Sequence, residues 1–213
     1  EGKVLWDELL DAKTCDCCQT SSAITDLGPV VVYRNRSDRE IRDIAIARLV
    51  DGKWTEPSII HADGWEISGC PVNGPKVVAK GSNLLVGWFT APKGIQQVKF
   101  AFSTDAGASF GKPLVIESTG LIGRVDVALL REDWGVVSWM ETKGGNTFLY
   151  AAGIDQAGEM GVALQITAVD PSRKSGFPQL EVLGGQVYFA WTEIEGENKN
   201  VRTARIPQEA FLF

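Results

Sequence analysis

The segment Arg34-Asn35-Arg36-Ser37-Asp38-Arg39-Glu40-Ile41-Arg42-Asp43 packs four arginines and three acids into ten residues. A planar guanidinium binds a carboxylate through two parallel hydrogen bonds, which the point charge of Lys does not reproduce. Once desolvated, each such bond contributes about 1.5–3 kcal/mol. Arg34, Arg36, Arg42 and the more distant Arg124 are therefore candidates to hold the anionic groups of a ligand, with Asp43, Asp126 and Glu141 as candidate acids. The plain alternative for the segment is a solvated loop of alternating charge. For Arg124 with Asp126 it is a structural ion pair.

Thiols are the second reactive group. Cys15, Cys17 and Cys18 stand together and Cys70 follows in a later loop. Four cysteines allow three pairings. A Cys17–Cys18 bond would close a strained eight-membered ring and is the least expected. A bond within the first loop with Cys18 joined to Cys70, or a permutation of it, is easier. The rivals are a soft thiolate site for copper or zinc, with His61 at the start of the loop that carries Cys70, and redox chemistry by Cys15-x-x-Cys18. His61 otherwise reads as a surface group at a strand end. Away from these cysteines no cofactor is expected.

The elements that position these groups repeat. Short apolar strands end in an aromatic at Tyr33, Trp88, Trp139 and Trp191, at near-constant spacing. No unit that short buries its own faces, so the modules must stack or pack radially. Runs rich in β-branched and aromatic residues, bounded by Gly, Pro, Asn or Ser, recur at matching offsets. Around Tyr33 they are Ser21–Thr25, Pro29–Arg34, Arg42–Arg48 and Ser58–His61. Around Trp88 they are Lys76–Ala79, Asn83–Phe89, Gln97–Ser103 and Pro113–Glu117. Around Trp139 they are Val125–Leu130, Gly135–Met140, Thr147–Ala152 and Ala163–Thr167. Only Pro178–Val182, Gln186–Thr192 and Val201–Ile206 surround Trp191.

Four short antiparallel strands per repeat predict an all-β propeller. Full blades fall at 19–61, 74–117 and 125–168, and an incomplete one at 177–206. Segment 1–11 is expected as an outer strand of another blade. About three and a half blades are then present, either a portion of a larger propeller or a closed four-bladed ring. Loops between the second and third strands share a face with the crossovers between blades. Every cysteine and most arginine clusters fall on that face, which makes it the site candidate.

Composition fits a single domain. The 213 residues are 44% hydrophobic, and 23 glycines and 9 prolines act as turn punctuation. A formal net charge of −6 argues against nucleic acid as a partner. No apolar run reaches the roughly 18 residues of a membrane helix. An opening at Glu1, with neither Met nor an export leader, is expected of a processed product or a fragment.

Between the last two strands of the second blade lies Ser103-Thr104-Asp105-Ala106-Gly107-Ala108-Ser109-Phe110. Ser103 and Asp105 can bond the backbone of their own turn, Gly107 takes a positive φ, and Phe110 plugs the blade edge. This pattern resembles the Asp-box of bacterial sialidases, a structural turn on the face away from their active site. A shortened version is Asp51-Gly52-Lys53-Trp54. The whole chain is similar to bacterial extracytoplasmic sialidase-like proteins, through stretches such as Thr14–Thr20, Gly69–Pro75, Trp88–Pro92 and Gly123–Val127. The resemblance implies a location outside the cytoplasm, further blades upstream and a carbohydrate or protein ligand. It also implies an exo-α-sialidase-like hydrolase with an arginine triad on a sugar carboxylate, an aspartate acid and a tyrosine nucleophile. Tyr33, Tyr150 and Tyr188 all sit inside repeat strands, so a non-catalytic recognition propeller is the alternative.

Overall fold

The computed structural model describes residues 2–213 of the chain. The first sheet holds β1 (Ser21–Thr25), β2 (Gly28–Arg34), β3 (Ile44–Val50), the two-residue β4 (Lys53–Trp54) and β5 (Ser58–His61), with β4 and β5 both paired to β3. The second runs β6 (Lys76–Lys80), β7 (Asn83–Thr90), β8 (Gln97–Ser103) and β9 (Leu114–Glu117) in simple order. The third runs β10 (Leu121–Arg131), β11 (Trp134–Lys143), β12 (Asn146–Asp155) and β13 (Leu164–Ala168). The fourth has three strands, β14 (Gln179–Leu183), β15 (Gln186–Glu195) and β16 (Asn198–Pro207). Every pairing is antiparallel. These are propeller blades.

Residue patterns follow from how many faces each sheet has covered. In β7 the run from Leu84 to Thr90 is buried throughout, as expected of a strand packed on both sides. β15 alternates instead, with Val187, Phe189 and Trp191 inward and Tyr188 out. Three apolar clusters fill the gaps between successive sheets. Trp88 lies in the first, Trp139 in the second and Trp191 in the third.

The innermost strands pack in chain order, β1 beside β6, β6 beside β10 and β10 beside β14. β1 and β14 are not packed neighbours, so the sheets describe an arc rather than the closed four-bladed ring held as an alternative. Two expectations at element ends need correction. Residues 3–10 form no strand; they run over the surface, and Trp6 stacks on Trp54 at 6.4 Å. β10 starts at Leu121 rather than at the expected Val125, because irregular register at Gly123 lets the strand continue through a bulge.

Candidate functional site

Strand register fixes which loops share an end. Ser103 pairs with Leu84, at the start of β7, whereas a Cβ placed on Gly123 would lie 2.8 Å from the Cβ of Phe89, at its finish. Arg124 and Asp105 therefore occupy opposite ends of the second blade. In the serine–aspartate turn the Ser103 hydroxyl donates to Asp105 Oδ1 at 2.8 Å and accepts from Gly107 N at 2.9 Å, with Gly107 at φ 81°. These are bonds within one turn, and Phe110 packs into the cluster between the first two blades.

At the opposite end the arginines are arranged differently from the sequence reading. Arg34 is 1% exposed. Its guanidinium donates to the carbonyls of Asn73, Arg42 and Phe89, and its ring of donors lies 4.9 Å over Trp65. It pins together the crossover that carries Asn73, the loop before β3 and the end of β7, and is not exposed in a recess. Arg36 and Arg42 both grip Glu40, so the arginine-rich segment closes on its own acid. Arg42 also donates to Cys15 Sγ at 3.2 Å, and its Nε has no partner.

The three candidate acids are likewise engaged. Asp43 accepts from the backbone N–H groups of Gly64 and Trp65. Asp126 accepts from Val127 and Leu180, with Lys76 Nζ at 3.8 Å, and burial pushes its carboxyl above the usual range. Glu141 accepts from the Trp139 indole and lies 3.3 Å from Lys143 Nζ. They sit in three different crossover or strand settings, each bound to its own donors.

Two acids escaped the sequence reading. Asp63 has a side chain 1% exposed and takes Lys99 Nζ at 2.5 Å, the Trp88 indole at 2.7 Å and His61 Nδ1 at 2.7 Å. Burial alone would raise its carboxyl, but these donors overcome that and hold it below the ordinary value. His61 is thus partnered by an acid and is absent from the thiol cluster. Asp11 accepts from the Tyr33 phenol and from Asn35, and burial together with Asp11 drives the phenol well above its usual range. No local motif marks either acid; only the fold brings their donors to them.

The four sulfurs do meet. Cys17 is bonded to Cys70, a different pairing from Cys18 with Cys70. Cys15 and Cys18 remain thiols, with Cys15 Sγ 3.2 Å from Cys18 Sγ and 3.6 Å from Cys17 Sγ. Burial and the Cys15 thiol push Cys18 up to about 11, against the pull of Arg34.

One recess on this face keeps a cationic wall. It encloses about 230 Å³ and is lined by Asn73, Ile122, Arg124, Arg173 and Phe177, with prolines at its rim. Arg124 has φ 50° at the β10 bulge, directly after Gly123, whose absent side chain leaves room for Asn73 Oδ1 to accept from Arg124 N at 2.8 Å. A non-glycine residue held there costs roughly 1–3 kcal/mol. The guanidinium donates to Ser175 Oγ and to the carbonyls of Pro171 and Ser172, leaving Nε unused. It lies 5.8 Å from the Phe177 ring, and no carboxylate among the described residues is in ion-pair contact with it. Arg173, in a short 3-10 turn (Arg173–Ser175), stands beside it.

No protein-family model and no curated protein matches the chain. Solved structures do. An endosialidase of phage phi92 superposes with TM-score 0.63 at 13% identity, over 89% of this chain and 35% of that one. The fold is that of a β-propeller. A xylan β-1,4-xylosidase from Bacillus halodurans gives TM-score 0.56 at 13% identity, over 89% and 39% of the two chains. The Aleuria aurantia lectin, in complex with an α-methyl-L-fucoside, gives 0.54 at 13% identity, over 92% and 64%. The chain spans about two-fifths of the length of the glycosidases it matches. Among the described residues no helix is long and apolar enough to cross a membrane.

Proposed function

We propose that this part-propeller recognises acidic glycans at the recess walled by Arg124, Arg173 and Phe177. The observation that carries the reading is Arg124, placed by a strained bulge at the wall of a concave site, with no carboxylate in ion-pair contact. A sugar carboxylate would supply that counter-charge, and the Phe177 ring offers a flat apolar surface for the C–H face of a pyranose. Structural likeness to an endosialidase and a fucose-binding lectin supports a carbohydrate ligand. The Cys17–Cys70 bond supports a location outside the cytoplasm, where disulfides persist.

Recognition fits the geometry better than hydrolysis. A sialidase-type hydrolase needs an aspartate acid and a tyrosine nucleophile facing one bond, whereas Asp43, Asp126 and Glu141 each serve backbone or indole donors and the Tyr33 phenol is held by Asp11. Upstream blades would add further walls to the recess. Calorimetric titration with sialyllactose, with neutral lactose as control, tests the reading. Binding of the sialylated sugar alone is expected, weakened at least about tenfold by Arg173→Ala through loss of one charge-assisted contact. Equal affinity for lactose would reject the site's charge logic. Release of fluorophore from a fluorogenic sialoside would replace recognition with catalysis.

A further inference from the structure

The thiol cluster lies at the neighbouring crossover and plays no part in the recess. Three sulfurs, those of Cys15, Cys17 and Cys18, fall within 4.8 Å of one another. Cys17 is committed to Cys70, which leaves two thiols, one buried and one half-buried, 3.2 Å apart. The backbone holds them there. Cys15 N donates to Arg34 O at 2.9 Å, tying the loop to the end of β2, and Cys18 N reaches back to Cys15 O at 3.5 Å. The disulfide fastens the same loop to the next crossover. Gly74 of that crossover packs so tightly that a Cβ there would meet Gln19 O at 2.0 Å.

Charge around the two thiols is unbalanced. Arg34 is buried beside both; its bonds of 2.6–3.0 Å go to neutral carbonyls, and its remaining side-chain contact is with Cys18. No carboxylate among the described residues is in ion-pair contact with it. The acid whose charge reaches it, Asp63, is already paired with Lys99. A buried cation without a counter-ion is costly. Arg42, 3% exposed, directs Nη1 at Cys15 Sγ and keeps a buried Nε with no acceptor. Two guanidinium groups therefore converge on sulfur, Arg34 without a counter-ion and Arg42 paired with Glu40 but with its Nε free, so an anion there would neutralise the first and accept from the second.

We propose that Cys15 and Cys18 form a Cu(I) site, with Arg34 and Arg42 as the outer groups that neutralise and orient it. Binding releases one proton from each thiol, Cu⁺ + 2 RSH → [Cu(SR)₂]⁻ + 2 H⁺, and no electron is transferred. The complex carries one negative charge, which matches the one uncompensated charge of Arg34. Two soft thiolates suit Cu(I). Zn(II) asks for four ligands in a closed tetrahedral site, and here the third sulfur is bonded and His61 is held by Asp63. Hard cations find no oxygen cage among these side chains.

The test is an anaerobic titration of the intact protein with Cu(I), supplied as its acetonitrile complex in competition with a chromophoric Cu(I) chelator. The expected result is one Cu(I) per chain, with sulfur-only coordination by X-ray absorption. Cys15→Ser/Cys18→Ser abolishes it, and thermal melting of that variant checks that the fold survives. Arg42→Gln, which leaves both thiols in place, lowers Cu(I) affinity about tenfold or more, the usual cost of removing an outer-shell partner. Three results would overturn the proposal: uptake by the double variant equal to that of the parent, Zn(II) held at one per chain against excess Cu(I), or Cys15 and Cys18 recovered as a disulfide that resists mild reduction. None of these outcomes bears on the Arg124 recess, whose sialyllactose binding is read separately.

Discussion

Asp63 is the residue on which the first two blades agree about charge. It stands in the crossover between them and accepts from Lys99 of β8, Trp88 of β7 and His61 of β5. Replacing one member of a buried pair strands the other without compensation, at a cost of about 3–5 kcal/mol. Asp63→Asn is expected to fall in that range in urea unfolding, since it leaves the Lys99 ammonium, 8% exposed, without its counter-ion. The pH dependence has a definite sign. The folded carboxyl sits below its ordinary value, so its contribution is present above the unfolded pKa and is lost as pH falls through the folded one. The acid limb of the stability profile should therefore flatten in the variant. A variant with parental stability and an unchanged acid limb would mean that the network carries no net energy. At this scale the sequence misleads in one characteristic way. Arg34 looks like a ligand-binding residue because a run of residue types cannot display the backbone carbonyls that surround it. Asp63 looks like any loop acid for the same reason.

At the scale of elements, strands were legible and their termini were not. Alternation and turn residues locate all four sheets because pairing and burial act on every second residue and reward the pattern directly. Ends depend on contacts that a local window does not contain. β10 runs on through Gly123 and Arg124 because Asn73, from another crossover, supports the bulge. Residues 3–10 have the composition of a strand and pair with none among the described residues. The C-terminal 3-10 turn Gln208–Phe211 has no periodicity to read, yet it acts as a clasp. Phe211 is 2% exposed in the cluster between the third and fourth sheets, and its carbonyl accepts from the Trp134 indole at 3.0 Å. A Cβ on Gly153 of β12 would lie 1.8 Å from that carbonyl oxygen, a distance no rotamer relieves. Gly153→Ala should therefore lift the clasp and lose about 1.5–3 kcal/mol of aromatic burial. Proteolytic clipping of the C terminus should accelerate, with loss of hydrogen-exchange protection at the Trp134 indole. Unchanged protection would show that the turn can shift without releasing Phe211.

For the molecule as a whole, the decisive feature is that each gap between sheets is filled and the two outer flanks are not. β7 and β11 are buried on both faces, whereas β15 shows one polar-accessible face and β16 is exposed along most of its length. Val201 and Leu183 are exposed on the fourth sheet, Ile24 and Leu27 on the first, and Val4, Leu5 and Leu9 along the N-terminal segment. An open sheet edge and contiguous apolar surface are templates for pairing with further sheets. The solved propellers it resembles are longer chains, of which it spans about two-fifths. These 213 residues on their own should consequently self-associate. The net charge of −6 opposes that association through mutual repulsion, and salt screens repulsion while leaving apolar burial intact. Sedimentation velocity should therefore show a weight-average mass that rises with protein concentration and rises further with added salt. Leu5→Glu together with Val201→Lys should reverse it, since both side chains are exposed and neither supports the interior. Dissociation by salt would assign the contact to ion pairs instead. A monomer at every concentration, melting in one cooperative transition, would show that three filled gaps suffice and that the open flanks need no partner.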